Sequence, residues 1–169
     1  MEIEYLNLML RYPILQDVEN VPVKEEDIIK LETKIDKVFP KVYKEFLSIA
    51  GENANVIAFL NHGFYDSVRD DIYYLEEQQE VVKETLKEEG CSVGENFWVI
   101  ADLDGGEQFH FFYFNDPDAE DPQNPPVYGS YIGYPLGNKH TITKLANTFQ
   151  EYIEKKIKGY ADLNQDNFS

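Results

Sequence analysis

Apolar residues recur at helical spacing early in the chain, where Ile28, Leu31 and Ile35 lie three and four positions apart. This period predicts a helix over 25–38. Three acidic residues at its start suit the positive end of the helix dipole. The same reasoning predicts a short helix over 2–11, and residues 13–24 are expected to form a connecting loop.

The clearest helical stripe follows Phe39-Pro40. Its members fall at i, i+3, i+4 and i+7 and predict one core-facing side: Tyr43, Phe46, Leu47 and Ala50. Proline is tolerated in the first turn of a helix, because its missing N–H would have no partner there. Gly51 is expected to end this helix as a left-handed stop.

The middle of the chain changes from short apolar runs to aromatic strands. Residues 56–60 predict a buried strand, 71–74 a second strand or the entry to a helix, and 75–89 a charged helix that ends at Gly90. Residues 97–103, 108–115 and 127–132 predict three further strands. The first two are apolar on both faces, as in Val99 and Ile100, so both faces of their sheet should be covered.

A final amphipathic helix is predicted from apolar residues at three- and four-residue spacing: Ile142, Leu145, Ala146, Phe149, Ile153 and Ile157. Lysines near its end suit the negative pole of the helix, Gly159 is expected to close it, and 160–169 to form a polar tail. The order of elements predicts one α+β domain over 1–169, with its core at about 25–158. Its central, mainly antiparallel sheet packs with N-terminal helices and a C-terminal helix.

Charge narrows the choice of partner. The net charge is −17, and no Lys or Arg occurs between Glu88 and Asn138. That interval holds ten acids: Glu88, Glu89, Glu95, Asp102, Asp104, Glu107, Asp116, Asp118, Glu120 and Asp121. Nucleic-acid affinity comes mainly from Lys and Arg, so direct binding to nucleic acid or to an anionic membrane is disfavoured. A basic protein partner is favoured, and a solvated acidic face is the plainer alternative.

Location follows from what the sequence does not contain. Cys91 is the single cysteine, which excludes an internal disulfide and a thiolate zinc cage. No leader-like segment precedes a cleavage site, and no apolar run approaches the roughly 18 residues of a membrane span. We therefore expect a cytoplasmic protein.

An active site is suggested by one stretch, in which Asp102, Asp104, Glu107 and His110 surround a double glycine. The sequence contains no nucleophile elbow, dinucleotide fingerprint or phosphate-binding loop. Histidine on an aromatic strand is more often a hydrogen-bonded packing residue than a base. We therefore predict no catalytic residue, metal or cofactor.

Calcium is an alternative for the acidic stretches. The spacing of Asp102 and Asp104, and of Asp116, Asp118 and Glu120, matches the beginning of an oxygen-rich calcium loop. Neither stretch completes that pattern: after Asp116 the sixth position is an acid instead of glycine. Exposed turns favour Asp in any case, which is the simpler interpretation.

The opening helices carry a resemblance to a known family. The chain resembles the SUKH superfamily. The resemblance is carried by Phe39-Pro40, Tyr43, Phe46-Leu47 and Gly51, together with a late helix containing Phe149 and Ile153. Ala50 stands where that family usually has Asn. The resemblance covers about 25–157 and implies an α+β domain without known catalytic residues.

The resemblance also implies a function. Bacterial members are mostly immunity proteins that bind and neutralise toxins, commonly nucleases and deaminases, and this compact chain is closer to them than to the fungal regulators of cell-wall (glucan) synthesis. We expect a binding protein that blocks a basic toxin domain, with a wall-synthesis regulator as the alternative and a metal- or ligand-dependent enzyme as a third. The predicted contact residues are Asp102, Asp104, Glu107, Asp116, Asp118, Glu120, Asp121, Tyr128, Tyr131 and Tyr134.

Overall fold

The computed structural model describes residues 2–15, 18–52, 54–55, 72–94, 96–102, 108–132 and 140–165. Its elements, in chain order, are α1 (Asn7–Arg11), β1 (Ile14–Leu15), β2 (Val18–Glu19), α2 (Glu25–Ile35), α3 (Lys41–Ala50), α4 (Ile72–Glu88), β3 (Phe97–Asp102), β4 (Gln108–Tyr113), β5 (Val127–Ile132), β6 (His140–Ala146) and α5 (Phe149–Gln165).

The main sheet is an antiparallel meander with strand order β3-β4-β5-β6. Helices precede it and α5 follows it, so the predicted α+β class is confirmed. The strand predicted over 56–60 lies outside the described residues. Of the region predicted over 71–74, Asp71 also lies outside the described residues, and Ile72 begins α4.

β6 corrects the prediction for the C-terminal part of the chain. Ile142, Leu145 and Ala146 belong to this strand and not to a helix. Thr141, Ile142 and Thr143 are β-branched, which favours a strand, and β6 pairs with β5 throughout its length. The helix that follows runs through Gly159 to Gln165, so Gly159 does not close it and the predicted tail is helical at its start.

Both faces of the aromatic strands β3 and β4 are covered, as predicted. On one face Phe39, Tyr43 and Phe149 pack with Trp98 and Phe112, and the Trp98 indole donates to the Tyr43 hydroxyl at 3.0 Å. The other face buries a second cluster: Val82, Leu86, Val93, Val99, Phe109, Phe111 and Tyr128. The aromatic strands do not alternate strictly between apolar and polar residues because both of their faces are buried.

Helix α3 carries the predicted stripe, whose members are all fully buried. Its end differs from the prediction, because Gly51 has φ −68° and is right-handed. A Cβ at this position would lie 2.5 Å from the Leu47 carbonyl oxygen and 2.5 Å from Cγ2 of Val23. Glycine is required here by close packing and not by backbone conformation.

Glu45 is a fully buried carboxylate on the same helix. It accepts backbone N–H bonds from Glu4 at 2.8 Å, from Tyr5 at 2.9 Å and from Leu6 at 3.1 Å. These three amides satisfy an otherwise costly buried charge. Residues 4–6 are not helical, so α1 begins at Asn7 and not at the predicted start.

The remaining boundaries shift by a few residues. Helix α2 ends at Ile35 and not at 38, because Asp36 takes a left-handed conformation and the Lys37 amide donates back to the Glu32 carbonyl. The expected loop over 13–24 contains a small antiparallel pair, β1 with β2.

Gln79 of α4 closes one edge of the sheet. Its side-chain amide donates to the Val99 carbonyl at 2.9 Å and accepts from the Val99 N–H at 2.7 Å. Gln79 is buried, and its amide replaces the backbone of a neighbouring strand at that point. Helix α4 is thereby fixed against the edge of β3.

Candidate protein-binding surface

The acidic loop, residues 114–126, joins β4 to β5 and is built by its own carboxylates. Asp116 is buried; its Oδ2 accepts from the Tyr128 hydroxyl at 2.9 Å and its Oδ1 from the Asp118 N–H at 2.9 Å. The second bond is a side-chain turn of the kind that Asp commonly forms. Asp116 therefore shapes the loop from within.

Asp121 ties the acidic loop to the N-terminal segment. Its Oδ2 accepts from the Tyr5 hydroxyl at 2.8 Å, and its Oδ1 accepts from the Gln123 N–H at 2.9 Å. Partial burial, together with the hydrogen bond to this carboxylate, raises the pKa of Tyr5 to about 12. Tyr5 therefore remains a neutral donor at physiological pH.

Two polar residues of the acidic loop cap neighbouring helices. The Lys41 N–H donates to Gln123 Oε1 at 2.9 Å, and the Val42 N–H donates to the Gln123 carbonyl at 3.0 Å, at the start of α3. The Gln150 N–H in the first turn of α5 donates to Asn124 Oδ1 at 3.0 Å. The loop thus lies at two helix N-termini, whose positive dipole ends favour its negative charge. Sequence reasoning missed both caps.

Asp118 and Glu120 are the exposed acids of the acidic loop. Within the parts of the chain that the structure describes, neither side chain has a hydrogen-bond or ion-pair partner. The anchored backbone presents both carboxylates to solvent at fixed positions. They are the predicted contact residues that remain available to a partner.

The predicted tyrosine anchors differ in exposure. Tyr128 is buried, stacks on Phe111 with 5.7 Å between ring centroids, and has its pKa raised by burial and by Asp116. Tyr131 is half-buried, and Tyr134 lies outside the described residues. Tyr128 is thus a packing residue, and Tyr131 is the more accessible of the two.

The backbone of Asp102 lies at the opposite end of β4 from the acidic loop. Asp102 ends β3 opposite Phe109, whereas the acidic loop begins after Tyr113 at the other end of β4. Four residues of antiparallel strand span about 14 Å. Asp104 and Glu107 lie outside the described residues, as does the side chain of Asp102. Their role in contact with a partner stays a prediction.

His110 is a buried residue held between two tyrosines. Its Nδ1 lies 2.7 Å from the Tyr152 hydroxyl, and its Nε2 lies 3.4 Å from the Tyr131 hydroxyl. Burial, with a smaller contribution from the positive charge of Lys156, lowers the pKa of His110 to about 3. The ring is neutral at physiological pH. Both ring nitrogens lie near hydroxyl groups, and neither contact is the carboxylate that commonly orients a catalytic histidine.

A cavity of mixed lining lies beside β3. This cavity of about 480 Å³ between α4 and β3 is lined by apolar, acidic and basic residues together, among them Lys37, Glu76, Lys83 and Trp98. Among the residues that the structure describes, no three His, Cys, Asp or Glu side chains gather to hold a metal ion. The same residues include no helix long and apolar enough to cross a membrane.

The architecture defines an α+β domain whose antiparallel meander is enclosed by helices, with an acidic loop anchored at the N-termini of two of them. Residues 22–155 match the SMI1 / KNR4 family (SUKH-1), and the chain belongs to this family. The match includes Phe39-Pro40 and the buried stripe of α3, which carried the resemblance in the sequence. A search among curated proteins gives no match.

Proposed function

We propose that this protein is an immunity protein that binds and neutralises a cognate toxin with a basic surface, such as a nuclease. Membership of the SMI1 / KNR4 family (SUKH-1) fits an immunity or regulatory role in general. The observation that carries the proposal is the pair of exposed carboxylates, Asp118 and Glu120, on a loop held rigid by inward hydrogen bonds.

Charge supplies the mechanism. The protein carries a net charge of −17, and the acidic loop lies in the interval without Lys or Arg. A field of this sign attracts a basic partner and raises the rate of association. The loop pays little ordering entropy on binding, because its backbone is already fixed by Asp116, Asp121 and the two helix caps.

The proposal assigns no catalysis to this chain. Neutralisation by binding needs no nucleophile, and His110 is buried and neutral. The partner is a protein, and nucleic acid or an anionic membrane is disfavoured by the net charge. The protein acts where the toxin would act, which we propose is the cytoplasm.

Coexpression with the toxin domain encoded by the adjacent gene tests the proposal. We expect growth to be restored and a stable complex to be purified from the same cells. Absence of protection, together with absence of a complex at micromolar concentration, would overturn the proposal. Capture of cell-wall biosynthetic enzymes instead would favour the regulatory role.

A further inference from the structure

Among the described residues, the two edge strands of the main sheet, β3 and β6, differ in the hydrogen bonds of their outward backbone groups. At β3, the Gln79 side chain forms hydrogen bonds with both the N–H and the C=O of Val99. At β6, the described residues make no hydrogen bond to the side that faces away from β5. An edge strand with free N–H and C=O groups can pair with another chain.

The register identifies which residues of β6 carry those groups. Because Val99 bonds to Gln79, its pair with Phe111 in β4 is not hydrogen-bonded. Hydrogen-bonded and non-hydrogen-bonded pairs alternate along an antiparallel ladder. Asn96 and Phe114 lie three pairs further along, where a hydrogen-bonded pair is expected, and the Phe114 N–H does donate to the Asn96 carbonyl. The backbone groups of Phe111 therefore point away from β3, toward β5.

The alternation continues across the sheet. Phe111 is hydrogen-bonded to Tyr128 in β5, so the backbone of Tyr128 points away from β6. Lys144, the partner of Tyr128 in β6, consequently directs its N–H and C=O outward. Ile142 lies two residues earlier and does the same.

The side chains around these groups are open on both faces. Thr141, Ile142, Thr143 and Lys144 are consecutive exposed residues, and Ile142 is 41% exposed. Three of the four are β-branched, which suits strand pairing. A bulge at Val127/Tyr128 disturbs the far end of this ladder, so the open stretch is centred on Ile142.

The net charge of the protein favours one kind of partner for β6. Two copies of this chain would each bring a net charge of −17, which opposes pairing of β6 with itself. A basic partner experiences attraction instead. The acidic loop adjoins this edge, because Lys144 Nζ lies 5.7 Å from the ring centroid of Tyr128, whose hydroxyl bonds to Asp116.

We propose that β6 is a docking edge, to which an extended segment of a basic partner protein adds as a further strand and bonds to the backbone of Ile142 and Lys144. Backbone pairing of this kind supplies affinity, while neighbouring side chains supply specificity. The inference rests on the proposed function for its partner, and adds the surface and the mode of binding.

Amide hydrogen exchange, resolved by residue with NMR, tests this placement on the full chain. In the free protein, the amides of Ile142 and Lys144 should exchange fast, while those of Thr141 and Thr143, which bond to β5, should be protected. Addition of the toxin domain encoded by the adjacent gene should slow exchange at Ile142 and Lys144 at least tenfold. A complex without such protection overturns the docking edge and leaves the proposed function intact.

A pair of variants gives a second test. Ile142→Pro removes an outward N–H, and proline is tolerated at such a position on an edge strand. Ile142→Thr keeps the N–H and the β-branch and serves as the control. We expect the proline variant to bind the toxin domain at least tenfold more weakly than the threonine variant, with both folded by circular dichroism.

The remaining outcomes also decide the question. Equal binding by the two folded variants rejects strand addition. Protection at Ile142 in the toxin-free protein that rises with concentration, accompanied by a dimer mass, rejects it in favour of a second copy. Failure of the unmodified protein to bind the toxin domain overturns this inference and the proposed function together.

Discussion

The carboxylates that face the interior of the protein and those that face away from it differ in what they contact. The inner carboxylates, Glu45, Asp116 and Asp121, each accept at least two hydrogen bonds from backbone or tyrosine groups. The outer carboxylates, Asp118 and Glu120, are exposed. Asp116 and Asp118 are only two residues apart, yet one is an inner and the other an outer carboxylate. The number of acidic residues therefore does not show which acids stabilise the fold and which are free to bind a partner.

The largest effect is expected at Glu45. Glu45→Ala removes the acceptor of one buried and two part-buried N–H groups, and it should lower the free energy of unfolding by about 3–5 kcal/mol. Urea unfolding followed by circular dichroism measures this change. Glu52→Ala is the control, because Glu52 is exposed just beyond the same helix, and it should change stability by less than about 0.5 kcal/mol. Equal effects of the two substitutions would erase the distinction between inner and outer acids.

A smaller effect is expected within the acidic loop itself. Asp116→Ala removes the acceptor of the Tyr128 hydroxyl and of the Asp118 N–H, and should lower the free energy of unfolding by about 1–3 kcal/mol. Asp118→Ala should leave stability within about 0.5 kcal/mol of the unmodified protein. Thermal and urea unfolding of the two variants side by side measures the contrast, and a larger loss at Asp118 would contradict it.

The pH dependence of stability sharpens the account of the interior. The pKa of His110 is about 3 in the folded protein, below its ordinary value of 6.5. Between these values the unfolded chain binds a proton that the folded protein does not, so stability falls as the pH falls from about 6.5 toward 3. The contribution of this residue is about 1.4 kcal/mol per pH unit.

His110→Gln isolates that contribution. Carboxylates titrate in the same range in both proteins, so the comparison uses the difference in unfolding free energy between the unmodified protein and the variant. That difference should shift against the unmodified protein by about 1.4 kcal/mol for each pH unit below about 6. Parallel pH profiles would show that His110 is not held neutral by burial.

These contrasts also mark what the sequence could predict. Helix α3, the aromatic strands and β5 were predicted because a buried face imposes a period on the apolar residues, as at Tyr43, Phe46 and Leu47. β6 was mistaken for the start of a helix because its residues 141–144 are exposed on both faces, so no period of two appears. By chance Ile142, Leu145 and Ala146 fall at helical spacing with Phe149.

The functional surface was less predictable than the fold. Burial of Asp116 and Glu45 depends on partners that lie 12 and about 40 residues away in sequence, and no local pattern indicates such pairs. The roles of Gln79 and Gln123 as acceptors for backbone amides have the same cause. The sequence shows four acids between the predicted strands over 108–115 and 127–132, and the structure separates the inner from the outer carboxylates among them.

The smallest expected effect on stability is at the outer carboxylates, where the effect on binding should be large. Asp118→Asn combined with Glu120→Gln removes two charges from the acidic loop. Glu84→Gln combined with Glu88→Gln removes two exposed charges from α4 and is the matched control. All these proteins should have free energies of unfolding within about 1 kcal/mol of one another.

The rate of association with the toxin domain encoded by the adjacent gene, measured by stopped flow across a range of salt concentrations, tests the central claim most directly. The account predicts a rate that falls steeply with added salt, because surface charges are screened beyond about 8–10 Å at physiological ionic strength. The loop variant should associate several-fold more slowly at low salt and depend less on salt, while the α4 variant should remain close to the unmodified protein. A rate independent of salt, or equal slowing by both variants, would contradict a partner-binding role for Asp118 and Glu120.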